Sequence, residues 1–198
     1  MKLTFDHNLL IDLECNPGVP ELRDLVGCHE TGRITICVSG IGGSERLKGR
    51  IYAENFSQFK DRVEKLSSRK FEILKPLGYW DITFYDWAIY VSDEGADIQI
   101  EKKLHDVLFP ETQYCWQDFA HENGLNPEND WNYKNFLWQK WRNRKCDVLT
   151  MWCHIYYGND IFVTNDEIFH KQKKPELIAL GAKRILNPSE ALSVIVSG

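Results

Sequence analysis

Hydrophobic and polar positions alternate with a period of two in residues 33–40, RITICVSG, where Ile34, Ile36 and Val38 are separated by Thr35 and Cys37. That period sends successive side chains to opposite faces of a sheet and predicts a strand. Shorter apolar runs at residues 2–6, 160–164 (DIFVT) and 183–186 (KRIL) predict three more. Elsewhere the apolar period is three to four. Leu22, Leu25 and Val26 share one face of PELRDLVGCHE, which has Pro20 at a first helical position and Gly32 just past its end. Phe56, Phe59, Val63 and Leu66 predict an amphipathic helix through residues 56–66. IEKKLHDVLFP reads as a helix ended by Pro110, and residues 132–157 as one long helix or two meeting near Lys145. PELIALG, with Pro175 at its first position, and a segment from Ser189 supply two further helices. NLLIDLE is helical or irregular, and IGGSERLKGR turns into a helix with Ser44 as its cap and Glu45 in its first turn.

Strand and helix therefore alternate at both ends of the chain. This implies a three-layer α/β/α fold, a central mostly parallel sheet with helices on both faces. The middle is less regular. FEILKPLGYWDITFYDWAIYVSDE mixes strand-like stretches with Pro76 and Gly78, and residues 111–141 are rich in aromatics, among them Trp116, Trp131 and Trp138. Residues 51–142 are expected to form an insertion or lid within a single domain spanning residues 1–198.

Composition narrows the class. At 198 residues, 43% hydrophobic and 27% charged, the chain can bury a core and is not a low-complexity segment. A net charge of −5 excludes a generally basic nucleic-acid coat, so any nucleic-acid contact needs a local basic patch. Six cysteines without a CxxC pair predict reduced thiols rather than a disulfide framework or a zinc site. MKLTFDHNLL lacks a signal-peptide layout, and no apolar run approaches the ~20 residues of a membrane helix. The expected location is the cytoplasm, away from membranes.

The candidate chemistry lies in acids near both ends of the chain. Asp6 and Asp166 each follow an apolar strand, which puts them at the sheet's carboxyl edge, where open α/β sheets build polar sites. Glu45 follows the strand RITICVS, and Asp147 is expected to open the helix that leads into DIFVT, so both helix starts face the same edge. Singly, each acid is also accounted for as a turn former, a helix cap or a first-turn acid. Together they describe a carboxylate cluster that repels itself unless a divalent cation sits in it.

FDHNLLIDLE, VSGIGGSERL and CDVLTMWCHIYYGNDIFVTNDEIF resemble the PIN-domain family of metal-dependent nucleases. The matching positions are Asp6 with Asn8, Glu45, Asp147, and Thr164 with Asp166, and the tail LGAKRILNPSEAL is similar to the family's closing strand and helix. The chain departs from the pattern in His7, between the Asp and the Asn, and in the length of residues 51–142. The resemblance implies an endoribonuclease that cleaves phosphodiester bonds with metal-activated water. Asp6, Glu45, Asp147 and Asp166 would hold Mg²⁺ or Mn²⁺, and Asn8 and Thr164 would orient carboxylates or water. It also implies a toxin or defence effector, with RNA as substrate, a cognate inhibitor protein and a homodimer.

WQKWRNRK places Lys140, Arg142, Arg144 and Lys145 beside two tryptophans, a composition that suits single-stranded RNA and equally a solvated helix face over core indoles. HKQKK, residues 170–174, is a second basic run. Two other functions fit the same residues. One is a catalytically silent PIN-fold module that binds a protein; the other is a phosphatase using Asp6 as nucleophile, although DHN lacks the second acid of a DxD arrangement.

Overall fold

Period-two alternation divides the strands between two cores. In β1 (Lys2–Phe5), Leu3 and Phe5 face one side, and in β2 (Thr35–Ser39) Ile36 and Val38 join them. Cys37 of β2 and Phe162 of β4 (Ile161–Val163) point to the other side. The computed structural model describes residues 1–16, 18–44, 53–80, 82–91, 95–132, 134–171 and 173–197. With β3 (Glu72–Leu74) and β5 (Ile185–Leu186), the strands form a five-stranded sheet in the order β3-β2-β1-β4-β5. Every pairing is parallel, with Phe5 opposite both Val38 and Val163.

Helices cover both faces, as expected for a parallel sheet buried on each side. One core receives α1 (His7–Cys15), α2 (Pro20–Glu30), α3 (Phe56–Val63) and α8 (Pro188–Ser197). The other receives α4 (Ala96–Leu108), α5 (Trp116–Glu122), α6 (Phe136–Tyr156) and α7 (Lys174–Leu177), the last running on into a π-turn at Ile178–Ala182. This is the expected three-layer α/β/α arrangement.

One expectation changes. The pattern over residues 132–157 is one helix, begun by Asn135, whose Oδ1 accepts from Leu137 N at 2.9 Å. Asp147 therefore lies in the middle of α6 rather than opening a helix, because the cap that starts the helix stands more than three turns upstream. Described residues within 51–142 join the sheet and both cores. They supply α3 and the edge strand β3, and Leu104, Trp116 and Trp138 share a core with Phe162. The chain after β2 forms a short 3₁₀ segment, Gly40–Ser44; the expected helix beginning near Glu45 falls outside the described residues.

The cysteines are free thiols, with Cys37, Cys146 and Cys153 buried. Among the described residues no helix is long and apolar enough to cross a membrane.

Candidate functional site

From β1 the winding proceeds outward through β2 and β3 on one side and, on the other, through β4 and β5. The direction of winding reverses between β1 and β4, and such a switch point leaves a crevice at the carboxyl ends of its two strands. Asp6 is the first residue past β1, and Thr164 and Asp166 follow β4, so the crevice is lined from both sides.

Asp6 N donates to Val163 O at 3.0 Å, carrying the sheet ladder to the edge of the crevice. The Asp6 side chain then caps α1, with Oδ1 accepting from His7 N at 2.7 Å. Thr164 Oγ1 donates to Asp6 Oδ2 at 2.7 Å and accepts from Asp166 N at 2.9 Å, so one hydroxyl joins the two strand ends. Asp166 Oδ1 accepts from Ile168 N at 2.9 Å and caps the 3₁₀ turn Glu167–Phe169. His170 Nε2 lies 3.1 Å from Thr164 O and ties this loop back on itself.

Burial opposes the charge on Asp6, which is 3% exposed. Desolvation pushes its carboxyl up to about 6; the hydrogen bonds from Thr164 and from the His7 backbone pull the other way, and the neighbouring Asp166 adds to the rise. The Asn8 side chain contributes a further hydrogen bond that favours the charged form. Asn8 itself is exposed in the first turn of α1.

Two carboxylates at one crevice, one of them disfavoured as a bare charge, suit a hard cation that keeps several waters and takes one or two protein carboxylates. Among the described residues, no group of three or more His, Cys, Asp or Glu stands close enough together to hold a metal. Asp6 and Asp166 are the two acids here that could hold such a cation. Glu45, the acid expected from the second helix, lies outside the described residues.

Asp147 can be placed from its helix. His154 Nδ1 is 2.9 Å from Thr4 Oγ1, which sets that turn of α6 level with the middle of β1. Asp147 lies two turns earlier on the same face, roughly 10 Å along the axis. Asp147 is partly exposed and does not open the helix.

The basic patch does not form. Arg142 and Lys145 are buried, at 3% and 1% exposure, so neither can meet a phosphate backbone. Lys145 pairs with Glu101 at 2.9 Å, and Arg144 donates to Thr112 Oγ1 and lies over the Phe109 ring. Of the four, Lys140 is the exposed one. Trp138 and Trp141 are core residues, stacked with ring centroids 5.6 Å apart. In the second basic run, Lys171 pairs with Glu167 and Lys173 donates to Leu108 O. Asp160 sits at the opposite edge of the sheet, bonded to Lys2 N at 2.8 Å and paired with Lys183.

Two features escaped the sequence pattern. His7 is a buried side chain, and desolvation lowers its pKa to about 3, with Arg62 adding to the fall. Gly42, in the 3₁₀ turn after β2, makes room for it, since a Cβ there would stand 2.6 Å from His7 Nδ1. Gly42→Ala is expected to lower stability by about 1–3 kcal/mol through overpacking. Urea denaturation checks this, and an unchanged midpoint would remove the packing argument. The second feature is the hydrogen-bond relay at Thr4, to which Asn159 Nδ2 donates at 2.7 Å while His154 Nε2 reaches Ala182 O at 2.9 Å. No hydrophobic period marks either feature, because both depend on which small or polar residue faces a neighbouring element.

Fold and crevice together define an α/β protein with a parallel, doubly wound sheet and an acidic crevice at its switch point. The chain matches no protein-family model, no curated protein and no solved structure.

Proposed function

We propose that the chain is a PIN-like, metal-dependent endoribonuclease whose centre is the crevice between β1 and β4. The observation that carries this reading is the Asp6–Thr164–Asp166 constellation, in which one hydroxyl bridges the two strand ends and burial disfavours the Asp6 charge. Mg²⁺ or Mn²⁺ bound there would offset the carboxylate charge and supply the Lewis acidity that activates water. Thr164 fixes the orientation of Asp6, the 3₁₀ turn fixes Asp166, and Asn8, exposed and hydrogen-bonded to Asp6, would meet an entering phosphodiester. Asp147 and Glu45 complete the acidic set by the resemblance; the choice of RNA, the toxin or defence role, the inhibitor and the homodimer also rest on it.

The test is cleavage of single-stranded and structured RNA by purified protein with Mn²⁺, alongside a small phosphomonoester. RNA should be cut, the monoester left untouched, and chelation should stop the reaction. Absence of any RNA cleavage overturns the reading, and hydrolysis of the monoester alone would favour an Asp6 phosphatase.

A further inference from the structure

A cavity of about 420 Å³ opens at the amino-terminal end of α6, within the size range of ligand sites. Five of the chain's seven tryptophans line it. Trp138 and Trp141 form its floor, with Trp116 set edge-on to Trp138 at 4.9 Å. Two more indoles line it, Trp80 largely in water at 82% exposure and Trp131 at 42%, the latter edge-on to Trp138. Gln117 and Glu128 stand at the rim, both exposed.

We infer that this cavity binds an unstacked nucleobase. Aromatic faces accept any base by stacking, whatever its identity. Gln117 offers a donor and an acceptor at the rim, and Glu128 an acceptor for an exocyclic amino group. An aromatic cage also suits an organic cation, but here a cation already occupies it from behind. Lys145 Nζ lies 3.8 Å from the Tyr114 ring centroid and 4.6 Å from that of Tyr79, two rings of the cavity wall. That ammonium already engages two of the π faces an organic cation would need, and Glu101 balances its charge at 2.9 Å, so nothing behind these rings draws a second cation in.

The sugar–phosphate has a place as well. An adjoining hollow of about 460 Å³ shares Tyr79, Trp80 and Tyr114 with the cavity and carries Lys102, whose Nζ stands 5.6 Å from the Tyr114 ring. Base in one hollow and phosphate beside Lys102 in the next describe a nucleotide. Along α6 the floor indoles precede Asp147 by roughly 9–14 Å, a span that a short length of strand covers. Base binding stands on the cavity itself; its service as a subsite for an RNA strand rests on the ribonuclease reading.

The indoles provide the readout. Tryptophan fluorescence is titrated in EDTA, so that no cleavage occurs, with a short single-stranded oligoribonucleotide, with a nucleoside monophosphate and with choline. Saturable quenching by the oligonucleotide is expected, weakened about 5- to 100-fold by Trp131→Ala and by Trp80→Ala, each removing one exposed stacking face. Equal affinity for the monophosphate assigns the site to a free nucleotide, and tighter binding of the oligonucleotide to a strand; both keep the nucleobase. No saturable quenching, affinities unmoved in both variants, or tighter binding of choline would overturn the inference. Cleavage without base binding overturns the cavity and leaves the ribonuclease, and base binding without cleavage does the reverse.

Discussion

Asp6→Asn is expected to give a protein more stable at pH 7 than the wild type, and without the ribonuclease activity proposed for it. Most substitutions of a buried, hydrogen-bonded residue destabilise. Here the folded pKa of about 6 lies above the ordinary 3.8, so between those values the native state holds more protons than the unfolded chain. The ionised carboxyl therefore subtracts stability above pH 6, and the subtraction fades below about pH 4. At ~1.4 kcal/mol for each pH unit of that difference, it amounts to on the order of 3 kcal/mol. Asn keeps an acceptor for His7 N while carrying no charge. We expect a gain of about 1–3 kcal/mol at pH 7, a rise in Tm of roughly 2–10 °C, and no gain at pH 4.

The wild-type profile alone would mislead. His7 and His154, lowered to about 3 and about 4 by burial, lose stability as pH falls below 6.5 and mask the gain at Asp6. The difference between variant and wild type isolates the carboxyl. Mn²⁺ should raise the Tm of the wild type and leave Asp6→Asn unmoved, and cleavage should fall by at least ~100-fold. A variant less stable than the wild type at pH 7, or one that still cleaves, would contradict this account of the crevice. Asp166→Asn should lose cleavage as well, with Asn able to keep the cap to Ile168.

The parts that were legible in the sequence are those that a short period encodes. Ile34, Ile36 and Val38 announced β2, and the apolar spacing of Phe56, Phe59 and Val63 announced α3, because burying one face is a local demand on consecutive residues. Asp6 and Asp166 were placed at the carboxyl edge by chain direction alone. β3 was legible only as one of several strand-like stretches, since Glu72–Leu74 is three residues long and its membership depends on pairing with β2. The basic segment misled for a related reason. Charge in a sequence reads as surface, and only the arrival of Glu101 from α4 shows that Lys145 points inward.

That inward lysine carries the second large effect. Lys145→Met should destabilise the protein by about 3–5 kcal/mol, the usual consequence of leaving one partner of a buried ion pair uncompensated. Both side chains are fully buried, 2.9 Å apart, joining α6 to α4. Desolvation lowers the Lys145 pKa, and Glu101 opposes that fall by charge and hydrogen bond. Tyr79 and Tyr114 both donate to Glu101 Oε2, and burial raises each phenol further out of the ionising range. Removing the ammonium would strand the Glu101 carboxylate among aromatic rings. Removing both charges would not, and the two phenols, 2.5 Å apart, could still bond each other. Lys145→Met/Glu101→Leu is therefore expected to recover most of the loss, ending within about 1–2 kcal/mol of the wild type. Guanidinium denaturation of the two single variants and the double variant measures the coupling. A single Lys145→Met loss under about 1 kcal/mol, or a double variant less stable than either single one, would show that the pair does not hold α4 against α6 in this way. The same two tyrosines wall the aromatic cavity, so nucleotide quenching should weaken in Lys145→Met and return in the double variant.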